Sequence, residues 1–130
     1  MHANDTNKII HRELSYQITG VLFSVHNRLG RFGRERQYGD AIESGLREAG
    51  VAYTREQSIS VATVKNTRTN QADFIIDDKI ILEIKAKPLI TKEDYVQVQR
   101  YLQASKHKLG LLVNFRNKYL KPIRIIRFNS

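Results

Sequence analysis

Two carboxylates and a lysine lie where the chain is otherwise most apolar. Asp73 precedes Phe74-Ile75-Ile76, and Glu83 and Lys85 fall within Ile80-Ile81-Leu82-Glu83-Ile84-Lys85. An unpaired carboxylate in such surroundings is costly or takes up a proton, so something must offset its desolvation. In an extended second arm Ile80, Leu82 and Ile84 share one face, and Ile81, Glu83 and Lys85 the other. A turn of three residues at Asp77-Asp78-Lys79 sets Asp73 opposite Glu83, with Cβ atoms roughly 4.5–5.5 Å apart. Both carboxylates can then ligate one hard divalent ion such as Mg²⁺, which keeps waters for a substrate. Lys85, next along the same face, can orient a nucleophile or offset charge developing on a phosphate. A cross-strand ion-pair network among the three residues accounts for the same pattern without chemistry.

Glu35 stands three residues before Tyr38, on the extension of a buried helical stripe, and is expected to point inward. The macrodipole also favours a carboxylate at a helix N-terminus, so simple helix-end electrostatics is the competing and slightly favoured account. Gln97, four residues before Tyr101, either faces the same site or lies exposed, as Gln does by default. His26 has no partner at metal-ligand spacing and reads as a hydrogen-bonded structural residue. There is no Gly-rich phosphate loop and no nucleophile-elbow serine. The absence of cysteine excludes disulfides, thiolate zinc sites and a cysteine nucleophile.

The elements that must position these residues are legible as periodicities. Leu14, Ile18, Val21, Leu22, Val25 and Leu29 form an amphipathic stripe ending at Gly30, and Tyr38, Ala41, Ile42, Gly45, Leu46 and Ala49 form a second ending at Gly50. Ile59, Val61 and Ala62 suggest an outer strand before a polar turn at Lys65-Asn66-Thr67. The two apolar arms form a hairpin that Pro88 closes. Thr91 caps a third helix with Asp94 as its acidic partner, and Tyr95, Val98, Tyr101 and Leu102 are its expected buried stripe. Leu111-Leu112-Val113 and Ile123, Ile125 and Ile126 supply two last strands. The order is α-α-β-β-β-α-β-β, an α/β protein. Residues 1–8 read as a disordered tail and residues 9–130 as a single domain, which 130 residues suffice to build.

With 22 Lys plus Arg against 13 Asp plus Glu, the net charge is +9 and the sequence pI is near 10.0. Polyanions are the natural partners, nucleic acid first among them. Arg28, Arg31, Arg34 and Arg36 form one basic stretch, and Arg116, Lys118, Lys121, Arg124 and Arg127 another. No apolar run long enough for a signal peptide or a membrane span is seen, so a cytoplasmic protein is expected. The size permits a homodimer.

Asp73, nine residues, then Glu83-Ile84-Lys85, on a hairpin followed by a helix, resembles the PD-(D/E)XK nuclease superfamily. From about Ile10 to Ile126 the chain is similar to the GxxExxY proteins within it. The similarity rests on Val25-His26, Leu29-Gly30, Glu35 with Tyr38, Ala72-Asp73, Glu83-Ile84-Lys85, Gln97 with Tyr101-Leu102, and the run Leu109 to Phe115. The resemblance implies a restriction-endonuclease-like core, a mixed sheet flanked by helices. It also implies phosphodiester hydrolysis with Mg²⁺, Mn²⁺ being a substitute, on DNA in preference to RNA. Asp73, Glu83 and Glu35 would hold metal, Lys85 would assist the attacking water, and Gln97 would orient the site. A nucleic-acid-binding module that has lost catalysis, or a protein-interaction domain with an ion-pair cluster, are the competing readings. The chain departs from the pattern in having Phe32 where a glycine is expected three positions before Glu35, with Gly33 displaced by one. Ala72 replaces the proline of the superfamily name.

Overall fold

The computed structural model describes residues 10–59 and 71–128. Helix α1 spans Arg12–Leu29 and α2 spans Glu35–Glu48. Strands β1 (Tyr53–Ser58), β2 (Gln71–Ile76) and β3 (Ile80–Lys85) follow, then α3 (Lys92–Ser105), β4 (Leu109–Asn114) and β5 (Ile123–Ile126). The expected order of elements is therefore the observed one. The strands form one sheet in the order β1-β2-β3-β4-β5. Among the described residues only β3 and β4 run parallel, with α3 as the crossover between them, and the other neighbours are antiparallel. This is a mixed sheet flanked by helices.

Strand periodicity divides the core into two layers. Phe74, Ile76, Ile80, Leu82 and Ile84 pack with Ile18, Leu22, Val25, Ile42 and Leu46 of α1 and α2. Ile75, Ile81 and Leu112 pack on the opposite face with Val98, Tyr101 and Leu102 of α3. Alternate residues of a buried strand serve opposite layers, which is why the arms are almost continuously apolar. The helix crosses β4 at Gly110, where a Cβ would fall 2.6 Å from Val98 Cγ1. Glycine there lets α3 sit close to the sheet.

The β2–β3 hairpin turns as expected. Asp77 and Asp78 both have positive φ, 52° and 51°, and the Lys79 N–H donates to the Ile76 carbonyl at 3.0 Å. Short acidic residues tolerate this left-handed geometry, the hand that matches strand twist in a hairpin. Lys79 makes the loop odd, giving the register Phe74↔Leu82, Ile75↔Ile81 and Ile76↔Ile80.

Three expectations are corrected. The outer strand lies at Tyr53–Ser58, upstream of the anticipated apolar residues. At the end of the sheet formed by the described residues it is mostly polar, so it lacks the apolar alternation that marks a strand in sequence. Val61, Ala62, the turn at 65–67 and the tail at 1–8 lie outside the described residues. Tyr95 is 40% exposed and Asp94 is buried in its place, because the inward stripe of α3 runs Asp94, Val98, Tyr101, Leu102. A carboxylate can hold that position because its bonds compensate desolvation. Leu29 and Ala49 are exposed, being the last turns of their helices where the stripe passes beyond the sheet. Among the described residues no helix is long and apolar enough to cross a membrane.

Candidate active site

The hairpin ladder opens at Asp73. Its register continues no further than Phe74↔Leu82, and on the other side the pairing of β1 with β2 passes from Arg55↔Phe74 to Gln57↔Ala72. Carboxylates take over the backbone groups thus released. The Asp73 N–H donates to Glu83 Oε1 at 2.9 Å, and the Ile84 N–H donates to Asp73 Oδ2 at 2.7 Å. Each bond uses one oxygen of its carboxylate, leaving the second outside the exchange.

Burial is the first cause of the unusual acidity of both groups. It pushes the Asp73 carboxyl up to about 6, against the Ile84 N–H bond and Lys85, with the charge of Glu35 adding to the rise. Glu83, 3% exposed, is pushed up further, to about 8, by burial and then by Asp73 itself, against the Asp73 N–H and Lys85. Two buried carboxylates facing one ammonium form a site short of positive charge. A bound cation would supply the missing charge. Among the described residues, no three His, Cys, Asp or Glu side chains converge closely enough to hold an ion by themselves. Asp73 and Glu83 are the carboxylates that could hold an ion here, with waters and substrate oxygens completing its shell.

Lys85 is mostly buried. Its ammonium donates to Gln97 Oε1 at 3.3 Å and lies 3.9 Å from Asp94 Oδ1. Gln97, half-buried on α3, also shares a hydrogen bond with Tyr101, whose hydroxyl is pushed up to about 12 by burial and then by Glu83 and Asp73. Thus Gln97 faces the site. Glu35 is different: it is exposed, not inward-pointing, because it is the first residue of α2 and precedes the turn at which the stripe becomes buried. It lines a cleft of about 520 Å³ together with Asp73, Arg36, Arg55 and Glu56. The structure brings Asp73, Glu83, Lys85 and Gln97 together and leaves Glu35 on the rim.

Several contributors were not read as site residues in the sequence. In the sequence Asp94 reads only as a cap. Its carboxylate accepts the Thr91 N–H at 2.7 Å and also pairs with Lys87 at 2.6 Å, which holds it below the ordinary range despite burial. Asn114 fixes the end of β3, accepting the Lys87 N–H at 3.1 Å and donating to its carbonyl at 2.7 Å. Its signal was a polar residue ending an apolar strand. Glu56 stands opposite Asp73 with φ 55°, and no pattern in the sequence marks it. His26 is structural as expected, bonded through Nε2 to the Asn117 carbonyl at 2.9 Å.

Of the basic residues, Arg28, Arg31, Arg34, Arg36, Lys118 and Lys121 are exposed, and Arg116 is half-buried. Arg31 Nε donates to the Arg116 carbonyl at 2.9 Å, joining the two stretches. Arg124 instead turns inward to Ser15 Oγ at 2.7 Å and the Ile10 carbonyl at 2.8 Å, a structural role.

A family profile described as the PD-(D/E)XK nuclease superfamily matches residues 12–127. No curated protein matches. A solved crystal structure, that of an alkaline exonuclease from Laribacter hongkongensis, is similar at a TM-score of 0.48 and 14% identity, over 88% of this chain and 69% of that one.

Proposed function

This chain belongs to the PD-(D/E)XK nuclease superfamily, and from that premise we propose that it hydrolyses phosphodiester bonds of nucleic acid, DNA in preference to RNA, with Mg²⁺ held by Asp73 and Glu83. Within the superfamily we assign it to the GxxExxY proteins. The observation that carries the reading is the reciprocal exchange in which Glu83 accepts the Asp73 N–H while Asp73 accepts the Ile84 N–H. That exchange fixes two buried carboxylates beside an ammonium.

When bound, the cation supplies charge neutralisation at the scissile phosphate and acidifies water. The chain's own residues do the rest. Asp73 and Glu83 set the cation's place because each is anchored to the opposite strand. Lys85, held by Gln97 from α3, keeps an ammonium beside the carboxylates, where it orients the attacking water and offsets charge on the phosphate in the transition state. Asp94 engages Lys87 closely and Lys85 only at 3.9 Å, so Lys85 stays available to substrate. Glu35 adds negative charge from the cleft rim. Arg31, Arg34 and Arg36, with Arg28, Lys118, Lys121 and Arg116, provide the phosphate-binding surface.

The test is cleavage of labelled single- and double-stranded DNA and RNA by wild type and Asp73→Asn across a Mg²⁺ titration. Mg²⁺-dependent cleavage by wild type alone supports the reading. Equal rates, or no cleavage of any substrate, reject it.

A further inference from the structure

Phe32 is 76% exposed, an unfavourable place for a large apolar ring, and the segment that carries it is tied down by hydrogen bonds. The Tyr38 hydroxyl donates to the Gly30 carbonyl at 2.7 Å and accepts the Gly33 N–H at 2.9 Å. Gly33 has no room for a side chain, since a Cβ would stand 2.9 Å from Tyr38 Cζ. Tyr38 is itself fully buried and stacked on Phe115, with centroids 4.2 Å apart. The ring therefore does not project by slack in the loop. Two guanidinium groups accompany it: Arg31 with its central carbon 4.8 Å from the ring centroid, and Arg116 at 5.7 Å. Arg116 is anchored to the carbonyl of Ala86, the residue after Lys85, at 3.3 Å. Its Nε is the one buried side-chain polar atom without a partner among the described residues. The cluster thus lies between the residue that follows β3 and the segment leading to Glu35.

We infer that Phe32, flanked by Arg31 and Arg116, is a stacking platform for an unpaired nucleobase, so that the substrate is single-stranded or frayed at the site. This rests on the nuclease reading for its biological sense, but not for its test. Aromatic rings and guanidinium planes stack bases of any sequence, whereas a base inside a duplex has no free face to offer. The arginines are near enough to the ring to meet the flanking phosphates, and a phenylalanine that stays 76% exposed beside two cations keeps surface free for a base. A protein contact at the same place would not discriminate a base from its absence.

The experiment measures binding by fluorescence anisotropy in EDTA, which removes cleavage from the readout. The probes are oligothymidylate, oligouridylate, a blunt duplex, and an oligothymidylate with central abasic positions. The expected result is that Phe32→Ala weakens binding of unpaired oligomers roughly tenfold and changes duplex binding less than about twofold. Phe32→Tyr should restore wild-type affinity. The abasic probe should cost wild type as much as Phe32→Ala does and cost that variant nothing further. Thymidylate and uridylate arms identify which nucleic acid supplies the base. Equal losses on duplex and single strands, unchanged affinity in Phe32→Ala, failure of Tyr to rescue, or no binding by wild type would each overturn the inference. Base-dependent binding without cleavage would uphold it while rejecting the nuclease reading.

Discussion

Asp73 and Glu83 keep their protons to higher pH than ordinary carboxylates do, since burial raises the first to about 6 and the second to about 8. In the metal-free protein the folded state therefore binds more protons than the unfolded chain between about pH 4 and about pH 8, and its stability falls as pH rises through that window. Glu83→Gln, which removes the charge and keeps the shape, is expected to raise the melting temperature of the metal-free protein at about pH 8 and flatten its dependence on pH. Mg²⁺ should stabilise wild type more at about pH 8 than at about pH 5, because the ion competes with protons for the same oxygens. Scanning fluorimetry across pH, with Mg²⁺ or EDTA, checks both. Lys85 offers a contrast: Lys85→Ala should retain the Mg²⁺-induced rise in melting temperature while slowing single-turnover cleavage on the order of 10²- to 10³-fold. A variant that lost the metal response as well would place Lys85 in the ion's support rather than in the chemical step.

At the scale of elements, α2 and α3 pack on opposite faces of the sheet; α3 brings Gln97 to Lys85, while α2 leaves Glu35 on the rim of the cleft that Asp73 also lines. The segment leading into α2 is pinned by the Tyr38 hydroxyl, which joins Gly30 and Gly33, in addition to the Arg34 N–H that donates to Gln37 Oε1. Tyr38→Phe keeps the buried ring and its stacking but abandons both bonds, so a loss of about 1–3 kcal/mol in urea unfolding is expected. Cleavage should fall with it, while the Mg²⁺ stabilisation carried by the hairpin persists. The hairpin is less forgiving. One residue inserted between Asp78 and Lys79 makes the loop even, and a one-residue slip turns every side chain of an arm to the other face. That variant is expected to lose Mg²⁺ stabilisation as well as thermal stability, both read from melting curves.

The whole molecule is strongly cationic, and its two basic stretches, remote in sequence, meet where Arg31 donates to the Arg116 carbonyl. If this surface tracks a phosphate backbone, log K against log salt falls linearly, with a slope of about −0.9 per phosphate neutralised on duplex DNA. Arg31→Ala and Arg34→Ala should each make that slope shallower by about 1 for a residue in direct phosphate contact. Arg124→Ala should leave the slope unchanged and lower stability, because its guanidinium is committed to Ser15 and Ile10. Titrations at several salt concentrations separate these cases, and an unchanged slope for Arg31→Ala would remove that patch from the interface.

Period and composition determined the helices, the hairpin and the register that sets Asp73 against Glu83, because each follows from local rules: a stripe every three to four residues, alternation every two, and an odd loop of short acidic residues. The same rules could not find β1, an edge strand with little apolar surface to mark it, nor the phase of α3, where Asp94 takes the inward place expected of Tyr95. A buried carboxylate is tolerable only when Thr91 and Lys87 reach it, and those contacts depend on the path of the chain after β3. Glu35 shows the same limit, because the stripe pointed it inward while its place at the very start of α2 leaves it on the cleft rim. Nor did sequence spacing separate Arg124 from its basic neighbours or join Arg31 to Arg116 across 85 positions. Local periodicity fixes which way a side chain leaves its own element; only the packing of distant elements decides what it meets there.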